Sequence, residues 1–196
     1  MKFLLIAMVL LLAACSSKVE QQFTSEVNFN IKGGFYESMK VITWEEKKPV
    51  CAALAIVEPD YGTKWLPAAR FNFLSEDEKY TASIMLAPHA KGDKDLQLIY
   101  TLYNKEDESE NVHTVIADHL KFSKSVPIEI FFSGDRGLGI HLENSGKIFN
   151  LPFEPKSFVI SASSAKSAIK FSTDTCAISQ DKNYNVDTKA EPKSDK

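Results

Sequence analysis

Apolar and polar positions alternate along most of the chain. Val27, Phe29 and Ile31 alternate with polar neighbours, as do Phe71 and Phe73, Tyr80-Ala82-Ile84-Leu86, Leu96-Leu98-Tyr100-Leu102 and Ile128-Ile130-Phe132. A period of two puts one set of side chains on one face of an extended chain, so each run predicts a half-buried β-strand. Cys51 to Val57 is apolar throughout and reads as a strand buried on both faces. Turn residues interrupt the runs at Gly33-Gly34, Gly92-Asp93, Gly134-Asp135-Arg136-Gly137 and Asn144-Ser145-Gly146. The last of these divides Ile140 and Leu142 from Ile148 and Phe149, which predicts a hairpin over Gly139 to Leu151. Phe158-Ile160 and Ile169-Phe171 are expected to pair as the final two strands.

One stretch fits two periods. Val112, Val115, Ile116, His119 and Leu120 fall at helical spacing, but the flanking strands and the β-branched valines favour a strand. Ten to twelve short strands with no helix between them predict an all-β fold, an antiparallel two-sheet β-sandwich in a single domain over residues 26–179. The order of strands, with Ile128 to Phe132 leading into a late hairpin, resembles the jelly-roll sandwiches of lectin-like domains. Residues 180–196 are polar and charge-balanced, which predicts a disordered tail.

The N-terminus has a different character. Met1 and Lys2 precede an unbroken apolar run from Phe3 to Ala14, which ends in Leu12-Ala13-Ala14-Cys15 and then Ser16-Ser17. As a helix that run would span about 18 Å, short of the roughly 30 Å hydrocarbon core, so it reads as a signal peptide and not as a transmembrane span. The Leu-Ala-Ala-Cys segment resembles the lipobox of bacterial lipoproteins. That resemblance implies cleavage after Ala14, diacylglyceryl attachment to the Cys15 thiol and acylation of the new amine. Two or three acyl chains, at about 0.8 kcal/mol per buried CH₂, make such an anchor nearly permanent. It also implies a cell-envelope location. With serine instead of aspartate at position 16, that is the periplasmic face of the outer membrane in a diderm source, and otherwise the cell membrane. Cys15 to Ser25 is then a lipidated tether, reaching about 30 Å if extended.

Composition and candidate chemistry narrow the choice. The net charge of −3, with arginine only at Arg70 and Arg136, leaves no basic face for nucleic acid. With Cys15 spent on lipid, Cys51 and Cys176 are an even pair in an oxidising compartment and are expected to form a disulfide, two buried free thiols being the alternative. His113 and His119 are the closest histidines, but six positions apart they converge on neither a strand nor a helix, so no local metal site is expected there. His89 and His141 have no close histidine neighbour. The acid clusters Glu45-Glu46, Glu76-Asp77-Glu78 and Glu106-Asp107-Glu108 fall at predicted turns and read as solvated loop tips. No nucleophile motif or phosphate loop is present in the sequence, and the lipid on Cys15 is the one covalent group expected.

Tyr61 and Trp65, in the Pro- and Gly-bounded loop Pro59 to Pro67, are candidate binding residues. Aromatics on a rigid loop can stack on a sugar ring or anchor a protein. The competing reading, favoured here, folds them over the open end of the sandwich as core. The function expected is a membrane-anchored envelope lipoprotein whose non-catalytic sandwich binds a glycan or an envelope protein, or serves envelope assembly. A hydrolase of envelope polysaccharide or protein is the alternative.

Overall fold

The computed structural model describes residues 23–39, 42–43, 48–62, 64–134, 136–142, 145–173 and 176. The signal segment 1–14, Cys15, residues 16–22 of the tether, Glu45-Glu46, Asn144 and the tail 180–196 lie outside the described residues. Thirteen strands are described: β1 (Ser25–Asn30), β2 (Tyr36–Ser38), β3 (Ile42–Thr43), β4 (Val50–Pro59), β5 (Ala68–Leu74), β6 (Tyr80–Ala87), β7 (Asp95–Asn104), β8 (Val112–Lys121), β9 (Val126–Ser133), β10 (Gly137–Leu142), β11 (Ser145–Asn150), β12 (Ser157–Ser163) and β13 (Ala165–Ser172). A single 3₁₀ turn sits at Glu108–Glu110. Ser25, assigned from sequence to the tether, already pairs with Phe171 in β1.

The strands form two antiparallel sheets. One has six strands in the order β1-β13-β4-β9-β10-β11, and the other seven, in the order β2-β12-β5-β6-β7-β8 with β3 also on β12. The chain is therefore the all-β, two-sheet sandwich that the alternation predicts. Its core is built from the inward residues of both sheets, including Leu54, Ile56, Phe71, Phe73, Ile84, Leu86, Leu98, Ile128, Ile130, Phe158 and Ile169. The rings of Phe71 and Phe158 lie 5.6 Å apart, and each meets Phe171 of the facing sheet edge-on at 6.5 and 6.3 Å. Tyr100 of β7 stacks on Phe149 of β11 at 3.9 Å, closing the sandwich near its other margin, and burial raises the Tyr100 pKa so that the phenol stays protonated.

Three expectations are corrected. Phe158-Ile160 and Ile169-Phe171 do not pair: β12 lies in the seven-stranded sheet and β13 in the six-stranded one. Only Ser164 separates them, and at φ +47 it swings the chain from one sheet to the other, so the two runs face each other across the core. Val57, read as doubly buried, is 49% exposed. Glu58 pairs with Lys166 and Ile56 with Ser167, which leaves Val57 as the extra residue of a β-bulge. The hairpin β10–β11 is present, but Ser145 pairs with Leu142, so Ser145 and Gly146 belong to strand β11 and not to the turn.

The stretch with two possible periods is strand β8, and it carries two bulges. Ile99 pairs with Val115 but Leu98 with Ala117, and Leu96 then pairs with Leu120. Each extra residue resets the alternation, and His119, at φ +57, lies in the second bulge. The expected disulfide is also formed. Cys51 on β4 bonds Cys176, with Cα atoms 5.3 Å apart across a sequence separation of 125. In the chain-entropy view, closing so long a loop contributes roughly 5 kcal/mol, with measured values often lower.

Candidate functional site: a groove on the seven-stranded sheet

The outer face of the seven-stranded sheet is unusual in being partly buried. Ala68, Ala87 and Ile99 form a small apolar cluster there, separate from the main core, with Met85 packed against it. Small side chains in adjacent strands leave a depression. The β4–β5 loop walls it, producing a groove of about 350 Å³ lined by Lys64, Trp65 and Leu66 from the loop, by Ala68, Arg70, Met85, Gln97 and Ile99 on the floor, and by His89 and His113 at the rim.

Four contacts hold the loop where it is. The hydroxyl of Tyr61 donates to the Asp93 carbonyl at 2.9 Å, tying the β4–β5 loop to the β6–β7 turn. Burial and the neighbouring Asp93 carboxylate raise the Tyr61 pKa, so the donor proton is retained. Gly62 crosses the β1–β2 turn so closely that a Cβ on it would stand 1.9 Å from the Gly34 nitrogen. Beneath that crossing, Gly34 N–H donates to Ser164 Oγ at 2.9 Å and Asp60 N–H to the Ser164 carbonyl at 2.7 Å. The residue that switches the chain between sheets thus also pins both loops.

Trp65 is 40% exposed, so it is not core. The reason is geometric: the Gly33–Gly62 crossing holds the loop beside β2, and the indole rests on Tyr36, ring centroids 6.0 Å apart, instead of entering the sandwich. Lys64 Nζ lies 5.5 Å from the same indole. Tyr61, the second candidate, does not line the groove; it positions the loop.

The polar groups on this face divide into two kinds. Asn72 donates to Ser161 Oγ at 2.7 Å and accepts from Ser83 Oγ at 2.8 Å, a buried ladder across β12, β5 and β6 whose members satisfy one another. Arg70 and Gln97 are only partly satisfied. Arg70 Nη2 donates to Ser163 Oγ at 2.9 Å, and Ser163 in turn donates to the Leu66 carbonyl at 2.7 Å, so the guanidinium and the tryptophan loop share one support. The guanidinium also lies over Tyr36, 5.5 Å from its centroid. Its Nε is buried and finds no partner among the described residues. Gln97 hydrogen-bonds the Asp118 carboxylate, which can only accept, so Gln97 donates through Nε2. Its carbonyl Oε1 is buried and likewise without a partner among the described residues.

Tyr36 and Gln97 are not singled out in the sequence, and Arg70, His89 and His113 are weighed there only against nucleic-acid and metal binding. One signal was there to use, since Arg70 is one of only two arginines and stands in a strand beside Ala68-Ala69. Gln97 between Leu96 and Leu98 is indistinguishable from any outward polar residue. Two of the acid clusters lie at turns, as expected. Asp77 accepts from Ser75 Oγ at 2.6 Å and from Lys79 N–H at 3.0 Å, bonds that hold its carboxyl below the usual range, and Glu76 pairs with Lys156 at 3.2 Å. Asp107 caps the 3₁₀ turn through Ser109 N–H and Oγ. His119 sits 3.4 Å from Asp95, far from His113 on the groove rim. No group of three or more metal-ligating side chains gathers among the described residues.

Fold and site together define a two-sheet antiparallel β-sandwich with an aromatic-walled groove on one outer face. Among solved structures it is similar to an ancestral congerin (10% identity, TM-score 0.47, covering 71% of this chain and 100% of that one). It is also similar to the Caenorhabditis elegans galectin LEC-6 (8% identity, TM-score 0.46, 78% of this chain and 99% of that one) and to an alginate lyase from Pseudomonas aeruginosa (11% identity, TM-score 0.44, 66% and 64%). No family model and no curated protein matches the sequence.

Proposed function

We propose that this chain is a lipid-anchored envelope protein whose sandwich binds a glycan in the groove. The observation that carries the reading is the half-exposed Trp65 at the wall of a groove whose floor holds one unspent buried donor, Arg70 Nε, and one unspent buried acceptor, Gln97 Oε1. Sugars present just this mixture: an apolar C–H face that stacks on an indole, and hydroxyls that both donate and accept. Leaving polar groups buried without partners costs free energy, and a ligand that completes them recovers it. A flat protein surface reaches such recessed groups less readily than a ring does.

The test is calorimetry or a glycan panel on the mature chain. Wild type should bind at least one oligosaccharide, and Trp65→Ala should weaken that binding by more than about 1 kcal/mol, as loss of an anchoring aromatic does. Undiminished binding by Trp65→Ala would place the site elsewhere. The anchor is tested separately: Cys15→Ser should leave the protein uncleaved or outside the detergent phase, and unchanged membrane partitioning would sink lipid on Cys15.

A further inference from the structure

We propose that the groove selects a carboxylated sugar over its neutral counterpart, with the carboxylate seated against Arg70. This rests on the glycan reading and sharpens it to a substrate class. The charged side chains that line the groove are both cationic, Lys64 on the loop wall and Arg70 on the floor, with His89 and His113 at the rim. No carboxylate lines the groove among the described residues. The acids around it are already engaged: the Asp118 carboxylate accepts from Gln97, and Asp93 accepts the Ala90 N–H at 2.8 Å.

Arg70 is the centre of the argument. A surface arginine is ordinarily hydrated or paired with an acid. This one is held from one side by Ser163 Oγ and from another by the face of Tyr36, with its Nε buried. Burial acts to lower its pKa and no acid offsets it, the Tyr36 hydroxyl being the one charge-related contact that opposes the shift. A guanidinium remains protonated under such conditions, so the groove floor carries a fixed, partly desolvated positive charge with an unspent donor. A desolvated cation without a counter-ion is costly, and an anionic ligand that supplies one is favoured over a neutral ligand of the same shape. The planar guanidinium matches the planar carboxylate in particular, through short charge-assisted hydrogen bonds. Gln97 Oε1, an acceptor, then takes a sugar hydroxyl, and Trp65 takes the ring face.

The experiment is calorimetry of the mature chain with oligo-uronates (galacturonate, mannuronate, glucuronate), each against its own methyl ester, and with a sulfated galacto-oligosaccharide. The expected result is at least about tenfold tighter binding of one acid than of its ester, a preference that shrinks with added salt and falls to within about twofold in Arg70→Gln. Arg70→Lys, which keeps the charge and loses the planar fork, should retain only part of the preference. Equal affinity for acid and ester in wild type, with both lost in Trp65→Ala, would overturn the carboxylate proposal and leave the glycan reading standing. Binding of the sulfated sugar alone would overturn the choice of carboxylate, and binding of none would overturn both. Should Arg70→Gln fail to fold, judged by its melting curve, the wild-type ratio of acid to ester decides alone.

Discussion

The two outer faces of the sandwich are treated in opposite ways. On the six-stranded sheet, Cys51, Glu129 and His141 lie side by side across β4, β9 and β10, all buried, and the disulfide brings Cys176 back onto that face. Away from this strip the face is solvated and cross-strand ion pairs such as Lys170–Glu26 span it. On the seven-stranded sheet the buried strip is the floor of an open groove, walled by a loop that leans over it. Unspent groups occur on both faces: Ser172 Oγ, beside Cys51, is buried and finds no hydrogen-bond partner among the described residues, as do Arg70 Nε and Gln97 Oε1. Only the last two border the groove. The lesson is that an incomplete buried group marks a site only where it opens onto a groove that a ligand can enter.

If that contrast is right, changes on the first face should register as stability and changes on the second as binding. The largest effect expected is from replacing Cys51 and Cys176 by alanine. Unfolding free energy should fall by about 2–5 kcal/mol while glycan affinity of the folded protein stays within error, as denaturation and calorimetry would show. Gly62→Ala comes next and breaks the separation on purpose. Its Cβ meets the Gly34 backbone, so the loops must part at a cost of about 1–3 kcal/mol, and because the same loop carries Trp65, affinity should fall too. Trp65→Ala should lower stability by no more than about 1 kcal/mol, since the indole is already half in solvent, and still remove binding. A loss of several kcal/mol there would restore the core reading of this residue.

The acid side gives a milder test. Asp95 is held below the ordinary carboxylate value of 3.8 chiefly by its hydrogen bond from Lys121, and Asp118 by the His119 N–H. Asp107 is lowered in the same sense by Ser109, and Asp77 by Ser75. Their folded-state values lie below the unfolded ones, so their stabilisation is complete above the unfolded value and fades as pH falls through the folded values. The melting temperature should be flat down to about pH 5 and decline toward pH 2. Smallest of all, Glu26→Gln should change stability by less than about 0.5 kcal/mol, because an exposed pair such as Lys170–Glu26 contributes little.

Much of the fold was legible because one face of each strand is buried and the other is not. Phe71–Phe73, Ile84–Leu86 and Leu98–Tyr100 all lie in the core where alternation placed them. The misreadings trace to single residues that break the count. Val57 and the two bulges of β8 each add one position, and in β8 this converts a period of two into spacings of three that imitate a helix. Ser164 turns what resembled a hairpin into a crossing between sheets, and neither serine nor its neighbours announces a positive φ. The candidate site was half legible: Trp65 was named for its loop, but its partners Tyr36, Arg70 and Gln97 come from three other strands. Their convergence depends on the order β2-β12-β5-β6-β7, which no local pattern encodes.

Strand direction gives the domain a polarity. β1 begins at Ser25 beside Phe171 and ends at Asn30 beside Lys166, close to the glycine crossing, so the six residues of β1 place the lead-in from the N-terminus about 20 Å from the end that bears the tryptophan loop. The turns after β5 and β7, with Glu76, Asp77, Glu78, Glu106, Asp107 and Glu108, lie at the Ser25 end, since Leu74 and Asn104 run out in that direction. Were the proposed lipid on Cys15 the anchor, the attachment would enter at the Ser25 end and the tryptophan loop would be presented at the opposite end of the domain.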